Sequence, residues 1–428
     1  MKKILALLLA VVMVLSLVAC ATTEKPDDKA PADNTPADNT PAEQPEETPA
    51  EQPEETPAEQ PDEAPAESDY AVAMITDYGD ITDQSFNQTT YEACKAYCDD
   101  NGIEFKYYKP TADSTAARLE MVDQAVADGF NVLVMPGFAF AGTIAVAQDT
   151  YPDVKFIGLD VSEWDLFDSF YNHDKDNNRT DLIDANNPEH INKNVFCAVY
   201  QEELCGYMAG YAAVKLGYTK LGFLGGMAVP AVIRYGFGFV QGANAAAVEL
   251  DTKIEINYVY GGQFSGDADI TAKMDTWYSA GTEIVFACGG GIFTSAAEAA
   301  AKVDGKVIGV DTDQAAIIDG GYGEGMTVTS AMKGLAATVN TMLSEVMAGN
   351  WDNYGGKIET LGLVSETPAE NYVQLAGSTQ FGDGFSADDY NALVAAMFKG
   401  DVTVSNATDA MPEVDAAHTT VSDQGSVK

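Results

Sequence analysis

Residues 131–159 read NVLVMPGFAFAGTIAVAQDTYPDVKFIGL, and this stretch contains the pattern that decides the fold. An apolar run at 131–135 is followed by small and apolar residues at helical spacing at 142–151, and then by a second apolar run at 155–159. Each run is about as long as a strand that is buried on both faces. The alternation of strand, helix and strand therefore predicts a parallel sheet covered by helices.

The same alternation begins near Tyr70 and continues through most of the chain. Further strands are predicted at residues 71–76, 104–108, 195–200, 221–224, 254–260, 283–287 and 306–310. Helices are predicted at residues 86–100, 116–128, 142–151, 204–216, 233–250 and 294–303. These strands are too many for one ordinary doubly wound sheet, so we predict an α/β fold of two lobes, each a parallel sheet flanked by helices.

The two lobes divide the solute-binding domain that we predict for residues 70–428. The first lobe is expected to take about residues 70–200 and part of 312–350, and the second about residues 201–311 and part of the C-terminal region. The chain is expected to cross between the lobes near Gln201, between residues 311 and 329, and again beyond Gly355.

The first twenty residues have the pattern of a targeting segment. Lys2 and Lys3 precede an apolar run at residues 4–18, and Leu17-Val18-Ala19-Cys20 resembles the lipobox of bacterial lipoproteins. The resemblance implies a lipoprotein signal peptide at residues 1–20, with diacylglycerol on the Cys20 sulfur and cleavage before it. The expected location is the extracellular face of the cell membrane, reached through a lipid anchor. An ordinary signal peptide or a short membrane anchor is the alternative.

Residues 21–69 have the composition of a disordered linker. They include 10 prolines, 16 acids and two lysines, and no aromatic or aliphatic side chain larger than alanine. Such a segment has nothing to bury, and its repeated acids favour an extended chain. We therefore predict a spacer that holds the body of the protein away from the membrane; a specific acidic recognition motif is the alternative.

The charge of the chain excludes several classes of partner. There are 66 acids against 23 bases in 428 residues, which gives a formal net charge of -43. Binding to nucleic acid or to an anionic membrane surface needs clustered Lys and Arg, so neither is expected. Only three histidines occur, which disfavours histidine-based catalysis. No cofactor is predicted.

Polar and aromatic residues follow the predicted strands, at the edge where parallel sheets bind ligands. Asp77 and Asp83 follow the first strand, with Ser85 expected to cap the next helix. Phe138 follows the third strand and Asp160 the fourth. In the second half, the loops after the strands contain the remaining candidates, namely Arg234, Tyr235, Gly289, Gly290, Gly291 and Asp311. This set supplies carboxylates, aromatic rings and closely approachable glycines, with little positive charge.

Five segments of the chain resemble the basic membrane protein family, a group of nucleoside-binding lipoproteins that serve ABC importers. They are residues 83–88 (DQSFNQ), 151–156 (YPDVKF), 222–227 (GFLGGM), 309–314 (GVDTDQ) and 329–333 (TSAMK), in the same order as in the family. The resemblance implies a two-lobed fold of the periplasmic-binding-protein type I class, whose cleft closes on a purine nucleoside. It also implies a permease partner, and binding without chemistry.

The resemblance also implies roles for individual residues. Phe86 would stack on the purine with Asn87 and Asp83 beside it, Asp160 and Asp311 would accept hydrogen bonds from base or ribose, and Lys333 would donate to the sugar. Tyr235 is preferred as the second stacking aromatic over Phe237, Phe264 and Phe293. Two departures affect the rim of the site: the family's His-Glu-Gly-Ser-Phe is replaced by residues 201–205 (QEELC), and residues 164–194 resemble an insertion.

Each candidate also has a purely structural interpretation. Phe86 can be a core aromatic, Asp77 and Asp83 can cap turns and helix ends, and Gly289 to Gly291 can simply allow a tight turn. Asp311 can be a surface turn residue and Lys333 a solvated lysine.

Two alternative functions stay open at this point. One is a binding lipoprotein for another neutral solute, such as a sugar. The other is an enzyme resembling nucleoside hydrolases, since Asp77, Asp80 and Asp83 form an oxygen-rich loop of the kind that holds calcium. We predict no enzyme activity, because a hydrolase would need an acid to protonate the leaving base, or stacking that does the same work, and none of the three histidines follows a predicted strand. No metal site is predicted.

Overall fold

In the computed structural model, the described residues are 69–176 and 191–428. The predicted signal peptide, Cys20 and all of the predicted linker except Asp69 lie outside them, as do residues 177–190 of the predicted insertion. Within the described residues, no helix is both long enough and apolar enough to cross a bilayer.

The first lobe is built on a six-stranded sheet in which all neighbouring strands are parallel. Its order is β11-β5-β4-β3-β1-β2, where the strands are β1 (Val72–Ile75), β2 (Phe105–Tyr108), β3 (Val132–Pro136), β4 (Lys155–Leu159), β5 (Val195–Tyr200) and β11 (Lys357–Leu361). The central strands are fully apolar and buried, which is why their sequences lack the alternation of a half-exposed strand.

The second lobe is built on a seven-stranded sheet of order β12-β10-β9-β8-β6-β7-β13. Its strands are β6 (Lys220–Gly225), β7 (Ile254–Tyr260), β8 (Ile284–Cys288), β9 (Lys306–Asp311), β10 (Thr327–Lys333), β12 (Val373–Leu375) and β13 (Thr419–Ser426). All neighbours are parallel except β10 and β12, which are antiparallel.

Eleven α-helices connect the described strands. They are α1 (Phe86–Asn101), α2 (Thr115–Ala127), α3 (Ala141–Thr150), α4 (Glu163–Asp176), α5 (Glu202–Lys215), α6 (Pro230–Glu249), α7 (Ala268–Ser279), α8 (Phe293–Ala300), α9 (Ala315–Tyr322), α10 (Leu335–Met347) and α11 (Ala387–Lys399). The predicted α/β class is confirmed, as are the nine strands and six helices predicted from the sequence. The part of the predicted insertion that the structure describes includes α4.

The chain crosses between the two sheets three times. The first crossing is at Gln201, between β5 and α5, and the third joins β11 to β12. The second crossing lies at Gly334, beyond the predicted range of 311–329, because β10 extends the pairing of the second sheet as far as Lys333, whereas α10 packs against α1 of the first lobe. Residues 312–333 thus belong to the second lobe.

Backbone hydrogen bonds tie the three crossings to one another. The Gln201 amide donates to the Leu361 carbonyl at 2.9 Å, and the Gly334 amide donates to the Tyr372 carbonyl at 2.6 Å. The Tyr372 amide in turn donates to the Gly362 carbonyl at 3.0 Å. The connection between the lobes, which we call the hinge, therefore consists of three adjacent segments that are hydrogen-bonded to one another.

Helices α5 and α6 pack with their backbones in near contact. Gly206 and Gly210 on α5 face Gly238 and Gly242 on α6, and a Cβ atom built on any of these four glycines would lie 2.0 to 2.1 Å from a carbonyl oxygen of the opposite helix. Only glycine permits this approach. The packing places the first turn of α5, with its two acids, beside the first half of α6.

Candidate functional site

The cleft between the lobes lies where the strand order of each sheet reverses. In the first sheet the reversal falls between β1 and β3, which are followed by Asp77 and by Gly137 with Phe138. In the second sheet it falls between β6 and β8, which are followed by Gly226 and by Gly289. Parallel sheets bind ligands at such points because neighbouring connections leave in opposite directions there and open a crevice.

The cleft encloses about 940 Å³ of space not filled by atoms, including the open solvent at its mouth. This is within the usual range for small-molecule sites. All ten of the predicted ligand-binding residues line it: Asp77, Asp83, Phe86, Asn87, Phe138, Asp160, Tyr235, Gly290, Asp311 and Lys333. The structure therefore brings the ten residues together in one cleft, and their role in binding stays a prediction.

Asp83 caps helix α1 with both of its carboxylate oxygens. Oδ1 accepts from the amides of Ser85 at 2.9 Å and Gln88 at 3.0 Å, and Oδ2 accepts from the Asn87 amide at 2.9 Å and from Asn87 Nδ2 at 3.1 Å. The prediction that Ser85 caps this helix is wrong, since its hydroxyl donates to Asp311 Oδ2 at 2.6 Å in the other lobe. Asp83 therefore fixes the first turn of α1, and with it the positions of Phe86 and Asn87 in the cleft.

Asn87 lines the cleft and has one buried acceptor that is not satisfied by the described residues. Its Nδ2 also reaches Asp77 Oδ1 at 3.3 Å, whereas its Oδ1 is buried with no hydrogen-bond partner among the described residues. Asp77 Oδ1 accepts from the amides of Tyr78 and Gly79 as well. Burial raises the pKa of Asp77, although these hydrogen bonds oppose the shift. Because a buried polar atom is costly when unpaired, Asn87 Oδ1 marks a position for a donor.

Lys333 lies at the centre of a group of carboxylates from both lobes. Its Nζ forms an ion pair with Asp160 Oδ2 in the first lobe, and lies 3.2 Å from Glu202 Oε1 and 3.9 Å from Asp311 Oδ1. Although burial alone would lower the pKa of Lys333, the three carboxylates raise it above its ordinary value, so the ammonium stays charged. The same Nζ lies 5.0 Å from the centroid of the Phe86 ring.

Arg234 extends this group into a cation–carboxylate cluster, which we define as Asp160, Glu202, Glu203, Arg234, Asp311 and Lys333. Arg234 Nε donates to Glu202 Oε2 at 2.6 Å and lies 4.0 Å from Glu203 Oε2. Burial raises the pKa of Glu202, and Lys333 and Arg234 oppose this shift. Four carboxylates thus surround two cations.

Two of these carboxylates are attached to strained backbone. Asp160 has φ 58° and Asp311 has φ 65°, each directly at the end of its strand. Non-glycine residues adopt this left-handed region at an energetic cost, and such residues cluster at functional sites.

Asp160 Oδ1 is buried with no hydrogen-bond partner among the described residues. Asp311 is 5% exposed, and burial raises its pKa to about 6 despite Lys333 and Ser85. Asp311 is therefore not a surface turn residue.

The aromatic of the second lobe that is partly exposed in the cleft is Phe264, not Tyr235. Tyr235 is 1% exposed, packs edge-on against Phe286 and donates its hydroxyl to the Ala331 carbonyl at 3.2 Å, which is the environment of a core residue. Phe264 also lines the cleft. A Cβ atom on Gly226 or Gly289 would lie 2.4 or 2.8 Å from its ring, so the glycines make room for it.

The sequence analysis named Arg234 among the candidates that follow strands but gave it no role, and it did not assign Glu202 to the site. A glutamate that opens an otherwise apolar helix was visible at residues 202–215, but nothing in the sequence pairs it with an arginine 32 positions away. That pairing depends on the close approach of α5 and α6.

The aspartates of the 77–83 loop do not converge on a common point. Asp80 is exposed and binds Lys109 at 2.5 Å, while Asp83 is occupied by helix capping. In the described part of the chain, no group of three or more His, Cys, Asp or Glu side chains is arranged to hold a metal ion. His418 pairs with Asp251 on the surface of the second lobe.

Two α/β lobes, three crossings and a cleft at both switch points define a fold of the periplasmic-binding-protein type. The fold is shared with the solved structure of an ABC transporter solute-binding protein from Conexibacter woesei, which is 22% identical, with a TM-score of 0.58 over 79% of this chain and 99% of that one.

Residues 70–367 match the Bmp family, described as "ABC transporter substrate-binding protein PnrA-like". The chain belongs to this family, and a transported ligand and a permease are therefore its partners. It is 26% identical over 312 residues to the "ABC transporter nucleoside-binding protein BmpA" of Lactococcus lactis, covering 69% of this chain and 79% of that protein. It is also 26% identical over 296 residues to "Basic membrane protein A" of Borreliella burgdorferi, covering 68% and 76% respectively.

Proposed function

We propose that this protein captures a purine nucleoside in the interlobe cleft and delivers it to an ABC importer. One observation carries the proposal: the cleft is lined by the partly exposed ring of Phe86 and by Asn87 and Asp160, each of which has a buried Oδ1 without a hydrogen-bond partner among the described residues. A purine nucleoside has a flat π face for the ring, and N–H and O–H donors for the acceptors. The relative in Lactococcus lactis is named as nucleoside-binding, which agrees with this chemistry.

The roles of the residues follow from their positions. Phe86 stacks on the base, and Asn87, with Asp77 behind it, contacts the edge of the base. Asp160 and Asp311 accept from the ribose hydroxyls, and Lys333 donates to the sugar, since charge-assisted hydrogen bonds are the stronger kind. Phe138, Gly290 and Tyr235 complete the wall, and Asp83 holds the first turn of α1.

The cation–carboxylate cluster favours a nucleoside over a nucleotide. Its two cations are already paired, and the four carboxylates exceed them in number. A phosphate group would have to displace a carboxylate from Lys333 or Arg234 and would meet the remaining negative charge. The ligand that fits this cleft is therefore a neutral one.

Capture in this proposal involves no chemical step, and the protein is held at the membrane by diacylglycerol on Cys20. Closure of the lobes on the ligand would present both lobe faces to the permease, as a ligand-biased hinge motion.

Isothermal titration of the purified protein, after removal of any bound small molecule, tests the proposal. We expect adenosine, guanosine or inosine to bind, with cytidine weaker and ribose weakest, because only the purine nucleosides offer both a large π face and a pentose. Binding of ribose or another sugar without binding of purine nucleosides would support the sugar alternative. Release of free base, followed by chromatography, would support the hydrolase alternative.

A further inference from the structure

The edge strand β13 runs along β7 to the rim of the cleft. The two strands pair in parallel from Thr419 beside Ile254 to Ser426 beside Tyr260. Beyond this pairing, the Val427 amide donates to the Tyr260 carbonyl at 2.8 Å. Residues 419–428 lie outside the part of the chain that matches the family, which ends at residue 367. The C-terminal segment therefore reaches the carboxyl end of β7, where the loop of Phe264 begins.

We define the Phe264 loop as residues 261–267. Lys428 contacts this loop at two residues, one before and one after Phe264. Lys428 Nζ donates to Gln263 Oε1 at 3.1 Å and forms an ion pair with Asp267 Oδ2, and Gln263 Nε2 donates to the same Asp267 oxygen at 2.9 Å. The residue before Phe264 and the residue three positions after it are thus joined by one ammonium group.

The opposite side of the Phe264 loop is held by backbone hydrogen bonds. The amides of Gly261 and Gly262 donate to the carbonyls of Gly225 at 2.7 Å and Gly226 at 3.0 Å, and the Gly291 amide donates to the Phe264 carbonyl at 2.8 Å. The loop contains three glycines, at positions 261, 262 and 266, which give it high conformational freedom when it is not held. Its Asp267 also caps α7 through Oδ1 and binds Ser295, so the contacts of Lys428 add to an anchored loop and act on the segment between Gln263 and Asp267.

We infer that Lys428 is a positioning residue of the binding cleft, which fixes the Phe264 loop and thereby orients the Phe264 ring against the ligand. The inference rests on the proposed function, because it assigns Phe264 to the second face of the bound base. The inference goes beyond the proposed function because Lys428, which lies outside the family match, would contribute to the affinity of the cleft for its ligand.

The test compares the full chain with Lys428→Ala, Lys428→Arg and Phe264→Ala variants. The Lys428–Asp267 pair is partly exposed, so Lys428→Ala should weaken binding of the preferred purine nucleoside about two- to fivefold. Lys428→Arg keeps the charge and should restore the affinity. In the Phe264→Ala background, Lys428→Ala should have no further effect, since the two side chains then act on one interaction. An equal loss in both backgrounds would overturn the inference.

Hydrogen exchange provides a second readout that needs no ligand. We expect the amides of Gly261, Gly262 and Gly291 to exchange faster in Lys428→Ala than in the wild type, because the Phe264 loop opens more often. Lys302→Ala is the matched control, since it removes an ion pair of similar exposure with Asp275, at 2.8 Å in the same lobe, and should change neither readout. Unchanged exchange in Lys428→Ala would overturn the inference. A protein that binds no nucleoside, yet shows the faster exchange, would contradict only the proposed function.

Discussion

The cation–carboxylate cluster holds more negative than positive groups inside the protein, and this has consequences for individual residues. A buried carboxylate without a full partner is costly, so the cluster contains acids that gain protons more easily than usual. Glu203 is one of them: it is 3% exposed, and its Oε2 is buried with no hydrogen-bond partner among the described residues. Burial, with the neighbouring Glu202 carboxylate, raises the pKa of Glu203 from 4.5 to about 7.

The titration of Glu203 predicts how stability depends on pH. Between its unfolded and folded pKa values the folded protein holds a proton that the unfolded chain has released, so stability rises as the pH falls through this window. Glu203→Gln removes the buried charge. We expect the variant to melt at a higher temperature than the wild type at about pH 8, and the difference to shrink toward about pH 5. Calorimetry across this range measures it, and a difference independent of pH would contradict the assignment.

Among the proposed substitutions, we expect Phe86→Ala to cause the largest loss of affinity for a purine nucleoside. Because stacking on a base contributes about 1 to 3 kcal/mol by alanine substitution, Phe86→Ala should weaken purine nucleoside binding by that amount. Titration calorimetry measures the change. Phe381→Ala is the control, since Phe381 is 36% exposed and lies away from the cleft. An unchanged affinity in Phe86→Ala, with the fold intact, would remove Phe86 from the site.

Several of the residues that sequence analysis placed in the candidate site follow strands. Asp77, Asp160 and Asp311 come directly after or at the end of buried runs, so topology alone brings them to the cleft. The choices that failed depend on packing rather than on order along the chain. Ser85 was expected to cap α1 because serine is a common cap, but a neighbouring aspartate supplies the cap and the hydroxyl binds the other lobe.

The close packing of helices α5 and α6 brings the carboxylates of Glu202 and Glu203 next to Arg234. Gly210→Ala would place a methyl group against the Phe239 carbonyl, and backbone cannot yield as a flexible side chain can. We expect a loss of about 1 to 3 kcal/mol in the free energy of unfolding. Denaturant unfolding measures this loss.

The control for this substitution is Gly320→Ala in α9. A Cβ atom at Gly320 meets nothing within 4 Å, so alanine should be neutral or slightly stabilising there. Equal effects of the two substitutions would show that helix propensity, and not the close approach of α5 and α6, determines the result.

The strands that were predicted and those that were missed differ mainly in the length of their apolar runs. Eight of the nine predicted strands lie inside their sheets, where both faces of a parallel strand are covered and apolar runs are favoured; β2 is the exception, at an edge. The missed β10 is buried, but three of its seven residues are Thr or Ser. The missed β11 and β13 lie at sheet edges and are largely polar or partly exposed, and β12 has only three residues. Their positions are set by pairing with distant strands, for which a local pattern gives little signal.

At the scale of the whole molecule, the proposed lipid anchor determines where the protein is found. Cys20→Ser would remove the sulfur that accepts diacylglycerol. We expect the variant to leave the membrane fraction of cells that express it, whereas the wild type stays there and releases on detergent treatment. Fractionation with immunoblotting measures this distribution. A Cys20→Ser variant that stays fully in the membrane fraction would contradict the proposed anchor.

The three crossings between the lobes have a further consequence for the integrity of the molecule. Because Gln201, Gly334 and residues 362–372 each connect the lobes, a protease that cuts any one of these segments leaves two covalent connections intact. The lateral hydrogen bonds would hold the cut ends in register. A nicked protein would thus migrate as one particle in native buffer, and its fragments would separate only in denaturant.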